Sequence, residues 1–363
     1  MTAQARRAAA GRRRARARRP GRGAAPGPPR RSADEATRDR HPATRHRAGP
    51  ARAPRTPHVS LPDDVDSATV DAGGREVRLT NLGKVFWPEL GLTKRDLLQY
   101  YADVAPLLLP HLRDRAMVMK RYPNGIHGGF FFMKRAPSPR PEWVETCAIE
   151  HASGNVIDFP VVQDVATLLW VVNLGCIDLN QWYARCDDVD RPDYLHVDLD
   201  PGGGATFEQV REAAFIVHEA LAGLGMPDLV KTTGSRGLHV YVPIERGPTQ
   251  KTVWTVAKTI AVELARRHPG LLTAEYRLAR RPARRVLVDY NQNAWGRTLA
   301  SVYSVRPRPR ATVSTPVTWD ELRAGAATDD FRLDNVRTRL AEVGDLWAPL
   351  LHRRGRFDLE RLA

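Results

Sequence analysis

Two aspartates two residues apart, in His196-Val-Asp198-Leu-Asp200-Pro-Gly202, are the first residues whose type and spacing suggest chemistry. In a strand, alternate side chains share a face. Asp198 and Asp200 therefore project together, with His196 beside them, while Val197 and Leu199 face the core. Carboxylates so placed repel unless a cation lies between them, and hard oxygen donors suit Mg²⁺ or Mn²⁺. The pair alone is weak evidence, because a D-x-D also simply closes a strand. A third acid, Asp289, ends the apolar run Val286-Leu-Val288 and precedes Tyr290-Asn-Gln292-Asn293. Three carboxylates can hold two divalent ions about 4 Å apart, the geometry that clamps attacking and leaving oxygens in phosphoryl transfer. The ordinary alternative for Asp289 is a strand-end turn, and nothing in the spacing brings it to Asp198.

Between these acids lies Thr233-Gly-Ser235-Arg236-Gly-Leu-His239. Small residues let backbone N–H groups approach an anion. Thr233 and Ser235 add hydroxyls, Arg236 a fork for phosphate, and His239 a ring N–H. The segment suits a triphosphate, although the GxxxxGK[ST] spacing of a Walker A loop is absent. Taken alone it also reads as a Gly-rich hairpin carrying a structural histidine.

The elements that must position these residues alternate between strand and helix patterns, which predicts a mixed α/β body. Val77–Lys84 reads as strand and turn. Thr93-Lys-Arg-Asp96 resembles a capping box, opening a helix through Leu97, Tyr100, Tyr101 and Val104. Ala116–Arg121 alternates as a strand, and Asp164–Leu174 reads as a buried helix. Tyr194–Asp200 is a strand, and Thr206–Leu224 a helix capped by Thr206 with Gln209. Val230–Thr233 and Leu238–Ile244 are strands, Thr249–Arg267 a helix, and Val286–Tyr290 and Leu299–Val305 strands. Short helices near Asp320 and Asp334 follow.

Composition narrows the function classes. The 363 residues are 42% hydrophobic, which excludes a wholly disordered chain. The net charge of +15 suggests a nucleic-acid binder, but residues 1–57 hold 17 of the 56 Lys and Arg against 3 of the 41 Asp and Glu. The remainder is therefore close to neutral, and any contact with nucleic acid must come from local patches. The Arg/Pro/Ala-rich segment 1–57 has too few aliphatic residues to offset its ordering entropy and is expected to be disordered. It reads as a solvated extension or an upstream-placed start, with a phosphate-binding arm as the alternative. Residues 58–363 form the second unit. Cys147, Cys176 and Cys186 fit neither a disulfide scaffold nor a zinc site, and reduced, buried thiols are expected. No apolar run is long enough to span a membrane, and no signal-peptide pattern opens the chain. A cytoplasmic, nucleoid-associated protein is the expectation.

The acidic pair, the Gly-rich segment with its histidine, and the later single aspartate resemble, in that order, the three motifs of the archaeo-eukaryotic primase superfamily. The chain resembles more specifically the polymerase domain of bacterial ATP-dependent DNA ligase D, in stand-alone form. That resemblance runs from about Leu79 to Leu346. It includes Leu79-Thr-Asn-Leu-Gly-Lys84, Lys120-Arg-Tyr-Pro-Asn-Gly125, Phe131-Phe-Met-Lys134, Val197–Gly202, Gly237-Leu-His239, Val288–Asn293 and Tyr303-Ser-Val-Arg306. It implies a primase-like catalytic core that performs template-directed nucleotidyl transfer, filling gaps and ends in non-homologous end joining. It implies that Asp198, Asp200 and Asp289 bind two divalent ions, Mn²⁺ or Mg²⁺. It implies that Thr233, Ser235, Arg236, His239, Gln292 and Arg306 hold ribo- or deoxyribonucleoside triphosphates. Asn81, Lys84 and Lys94 would grip a 5′-phosphate on gapped or broken double-stranded DNA, and Phe131 and Phe132 would stack on template bases. A core strand is the plain reading of Phe130–Phe132, with one of the three buried. Ku and an ATP-dependent ligase are the implied partners.

The chain departs from the family pattern at three places. Thr233 stands where serine is usual, and Arg236 where lysine is common. Asn180-Gln-Trp182 replaces a frequent His-Pro-Trp; Asn180 keeps a hydrogen-bonding group for the sugar, but the ribonucleotide preference is open. A replicative or plasmid primase, and a non-catalytic DNA-end bridge, are the competing functions.

Overall fold

The computed structural model describes residues 56–362, so the basic segment 1–57 lies outside the described residues except for its last two positions. Two sheets carry the fold. The larger has six strands in the order Leu272–Thr273, Val286–Asp289, Tyr194–Pro201, Leu238–Pro243, Leu229–Thr232, Pro316–Val317. All its pairings are antiparallel except the first, which is parallel. The smaller runs Thr298–Ala300, Cys176–Trp182, Met117–Arg121, Phe131–Met133, antiparallel throughout. Helices Phe207–Gly223 and Gln250–Arg267 pack on the larger sheet, while Lys94–Leu112 and Val165–Asn173 pack on each other. One apolar cluster runs through both sheets.

Local chemistry starts the helices where the sequence predicts. The Thr93 hydroxyl accepts from Asp96 N and the Asp96 carboxylate accepts from Thr93 N, the reciprocal pair that satisfies two orphan donors at a helix start. Thr206 and Gln209 repeat the arrangement. Leu97, Tyr100, Tyr101 and Val104 are all buried, as their helical spacing requires. Tyr194–Leu199 is buried along its whole length, because strands flank it on both sides and helices cover the sheet.

Several expectations differ from the structure. The strand expected over Leu299–Val305 stops at Ala300, because Tyr303 adopts a left-handed backbone (φ 59°) and breaks the ladder. Cys176–Trp182 is a strand that alternation does not reveal, since every residue in it is buried. Cys147 and Cys186 are disulfide-bonded with Cα atoms 5.9 Å apart, so the expectation of reduced thiols holds for Cys176 alone. Cys147 sits in the hairpin Thr146–Glu150/Val156–Pro160, and the small second core around Trp182 brings the two together. A separation of 39 residues gives no hint of that meeting.

The start of the central strand is anchored by charge. Arg115 (3% exposed) donates to both oxygens of Asp193 (2% exposed) at 2.6 and 2.7 Å, and to Tyr183 O at 2.8 Å. Arg185 adds a bond to Asp193 Oδ2 at 3.0 Å. Burial pushes the Asp193 carboxyl up, but the guanidiniums of Arg115 and Arg185 outweigh it and hold it below the usual range. Removing one partner of such a pair strands the other without compensation. Asp193→Ala is therefore expected to destabilise the fold by about 3–5 kcal/mol in urea unfolding; a loss under about 1 kcal/mol, the worth of a surface pair, would contradict the anchoring role.

Candidate active site

Strand register builds the site. Asp198 lies between two cross-strand partners, His239 on one side and Asp289 on the other, and His239 in turn faces Lys231. Directly opposed residues of neighbouring strands present their side chains on one face, with Cα atoms roughly 4.5–5.5 Å apart. Lys231, His239, Asp198 and Asp289 thus form one row across four strands, and Asp200 adds a carboxylate two residues farther along the central strand. The polar segment after Asp289 extends the pairing by side chain. Asn293 accepts from His196 N at 3.1 Å and donates to His196 O at 2.7 Å.

Crowding sets the electrostatics. Burial pushes the Asp198 carboxyl up to about 7, the Asp289 charge adds to the push, and Lys231 and Arg306 oppose it. Asp200 is also pushed up to about 7, first by the Asp198 charge and then by burial, against Arg236 and Arg281. Asp198 Oδ1 is buried with no hydrogen-bond partner; His239 Nε2 lies 3.3 Å from it but out of line. Asp289 accepts from Asn291 N at 2.8 Å and from the Gln292 amide at 3.1 Å, so it also makes the strand-end turn. Among the described residues no three His, Cys, Asp or Glu side chains close as a finished metal cage. Mutually repelling buried carboxylates, one with an orphaned oxygen, nevertheless make a donor set that fits a hard divalent cation.

A cleft of about 450 Å³ opens over Asp198, Asp200 and His239, while Asp289 and Lys231 of the same row do not line it. Asp198, Asp200, Thr233, Ser235, His239, Gln292, Arg306 and Asn180 all line it. Two glycines shape its wall. Gly234 has φ +64°, and a Cβ there would meet Arg306 Cγ and Ser314 N below 3 Å; a Cβ on Gly237 would overlap the Leu199 carbonyl oxygen. The Thr233 hydroxyl is committed to this turn, accepting from Ser235 N at 3.1 Å and Gly237 N at 3.2 Å. Its carbonyl accepts from Arg306 Nη1 at 2.6 Å. Arg236 is exposed and does not line the cleft; its charge reaches Asp200 from the rim.

The remaining candidates fall into two groups. Asn81, Lys84 and Lys94 come together at one corner. Lys84 N donates to Asn81 O at 3.2 Å and Lys94 N to Lys84 O at 2.8 Å. Lys84 is exposed, but Lys94 is buried, its ammonium donates to Thr80 O at 2.6 Å, and burial followed by the Lys84 charge lowers it to about 8. Phe130, Phe131 and Phe132 are 53%, 43% and 59% exposed, so none of the three is buried as the core-strand reading expects. They lie on the outermost strand of the smaller sheet and its approach, with Tyr122, Lys120 and Arg121 against their rings. Phe132 lines the cleft while Phe131 does not. Lys120 Nζ lies 4.5 Å from the Phe130 ring centre and 5.7 Å from that of Phe132.

Sequence reasoning misses two buried charges and misplaces a third residue. Lys231 is fully buried behind His239. Asp178 (1% exposed) lies 3.4 Å from Arg306 Nε and 3.8 Å from Lys120 Nζ and lines the cleft with them. Cys176-Ile-Asp178-Leu-Asn180 carries the same two-residue spacing as Asp198 and Asp200, and that spacing could have found Asp178. His196 does not serve the carboxylates: it is buried among Tyr183, Tyr194 and Tyr241, and burial holds it near 3.

The raised carboxyls give a signed pH effect. Their unfolded values lie near 4, so between about 4 and about 7 the native state binds more protons than the unfolded chain. Stability of the cation-free protein therefore falls as pH rises through this window. Asp198→Asn should melt several degrees above the unsubstituted protein at pH 7 and much closer to it at pH 4, by fluorimetry at fixed ionic strength. A gap independent of pH would contradict the crowding argument.

Three comparisons with known proteins bear on this geometry. A family described as "LigD, primase-polymerase domain" matches residues 93–347. The "Multifunctional non-homologous end joining protein LigD" of Mycolicibacterium smegmatis is 36% identical over 276 residues, covering 76% of this chain and 36% of that protein. The "Bifunctional non-homologous end joining protein LigD" of Bacillus subtilis is 29% identical over 273 residues, covering 74% and 43%. The chain thus spans well under half the length of these relatives. The solved "Polymerase Domain from Mycobacterium tuberculosis Ligase D in complex with DNA" superposes with a TM-score of 0.71 at 32% identity, covering 75% of this chain and 97% of that one. The chain belongs to the LigD primase-polymerase domain family.

Proposed function

We propose that this protein extends a DNA 3′ end by template-directed nucleotidyl transfer, filling gaps during non-homologous end joining. The observation that carries this reading is the pair Asp198 and Asp200 at the foot of a cleft lined by hydroxyls and cations, with Asp289 set beside Asp198 by the strand register. In this reading Asp198, Asp200 and Asp289 hold two divalent cations, Mg²⁺ or Mn²⁺, which neutralise phosphate charge and lower the proton affinity of the attacking hydroxyl. His239, Ser235, Gln292 and Arg306 donate to the triphosphate, and exposed Arg236 approaches it from the rim. Thr233 holds the turn with the lone pairs of its hydroxyl and keeps its O–H hydrogen to donate to the triphosphate. Asn180, on the strand beneath the cleft, faces the nucleotide sugar.

DNA enters along the aromatic and basic rim. Phe131 and Phe132 stack on unpaired template bases, a contact that tolerates any sequence. Lys84 makes the charged contact to a downstream 5′-phosphate, with Asn81 beside it. Lys94 supports that corner from below through its bond to Thr80 O. The relatives are named for end joining; Ku and an ATP-dependent ligase are the partners this reading assigns.

Extension of a gapped, 5′-phosphorylated duplex with each nucleotide type in Mn²⁺ or Mg²⁺ tests the proposal. Asp198→Ala and Asp200→Ala should each lower the rate about a hundredfold or more while DNA affinity stays nearly the same; variants that extend normally would remove the catalytic assignment. Lys84→Ala should reduce the preference for a 5′-phosphate about tenfold, the worth of one charge-assisted bond, and an unchanged preference would refute that contact.

A further inference from the structure

Of the eight tryptophans, all among the described residues, Trp295 alone is exposed, at 40%. Local backbone geometry puts it there. Arg297 N donates to Ala294 O at 3.1 Å and Gly296 has a left-handed φ of 75°, so Ala294–Arg297 is a tight turn with Trp295 at its corner. A single exposed indole is ordinary on a protein surface. This one is set apart by what holds it and by what it borders.

Four rings close on one another beneath it. Trp295 lies 5.2 Å from Trp182 and 5.2 Å from His151, perpendicular to both at 86° and 88°. Fully buried Phe159 completes the set, 5.7 Å from Trp182 and 6.1 Å from His151. Phe159 and Trp182 belong to the small second core, so the support is rigid. Edge-to-face packing of this kind holds an aromatic ring in one orientation. Trp295 therefore gives up little freedom when a flat ligand settles on it.

What it borders is the cleft. The next three residues, Gly296, Arg297 and Thr298, line it. Thr298 opens one edge strand of the smaller sheet, and Phe132 stands on the other edge strand. Phe132 lines the same cleft, as do Lys120 and Asn180 on the two strands between. Three strand spacings separate the edges, roughly 14 Å, which leaves room for a nucleotide over the inner strands. Arg297 is exposed and forms no ion pair among the described residues, so its guanidinium is free for phosphate. We infer that Trp295 is a second stacking platform, which takes a nucleobase at the cleft edge opposite Phe132, with Arg297 on an adjacent phosphate. The inference rests on the reading that the cleft takes DNA and a nucleoside triphosphate. A base of either source presents the same π-face.

Collisional quenching of tryptophan emission by acrylamide, in Mg²⁺, reports chiefly on Trp295 because the other indoles are covered. A short oligothymidylate or ATP should shield that emission, whereas an abasic oligonucleotide of equal length and inorganic triphosphate should not. Whichever base-bearing probe shields it identifies the source of the base. No shielding, or equal shielding by the base-free probes, overturns the inference. Trp295→Leu should weaken binding of the shielding probe about tenfold, one stacked base. Trp295→Phe keeps a ring and should weaken it less than about threefold. Equal weakening by the two variants would mean a merely structural indole, and unchanged binding by Trp295→Leu would mean no contact; either overturns the inference. Should Trp295→Leu fail to fold, the shielding measurement on the unsubstituted protein still decides. Should that protein extend no primer while a base-bearing probe still shields Trp295, the proposed function falls and the platform stands.

Discussion

The antiparallel register of one strand governs the rest of the structure. Tyr194–Pro201 runs between two neighbours that set His239 and Asp289 on either side of Asp198. A slip of one residue in either pairing would turn the partner on that side to the opposite face from Asp198, because side chains alternate with a period of two. Several features hold that register. Arg115 and Arg185 fix Asp193 at the strand's start, Asn293 extends the pairing along His196, and Gly237 lets the neighbouring strand pass the Leu199 carbonyl. Folding thus performs the work of bringing like charges together against their repulsion.

Buried charge is arranged in two different ways. Around Asp193 every carboxylate oxygen has a guanidinium partner, so the carboxyl is held ionised. Around Asp198 the partners are insufficient and the carboxyl is pushed toward its protonated form. The first arrangement is complete and serves the fold. The second is incomplete and opens onto the cleft, which is where a group with a perturbed proton affinity points to chemistry.

Much of this was legible in the sequence. Asp198 and Asp200 share a face by spacing, a weak signal that gains weight only beside the Gly-rich segment and the later aspartate, while the capping boxes at Thr93 and Thr206 mark helix starts by side-chain chemistry within four residues. What failed to show depended on distance along the chain. Asp289 reads equally as a turn former, which it also is, and only the sheet order brings it beside Asp198. Lys231 looks like an ordinary polar position until its partner strand covers it. Cys147 and Cys186 meet through a second small core that no local pattern announces. The Phe130–Phe132 run illustrates the opposite error: an apolar triplet reads as core, yet it occupies a sheet edge and stays about half exposed.

That bare edge carries a colloidal consequence. Three adjacent phenyl rings facing water, with a cation tucked against them, form a patch that self-adheres as readily as it binds a flat aromatic ligand. The molecule's solubility is therefore tied to whether the patch is covered. Association through this face is the expected cost of leaving it uncovered at high concentration.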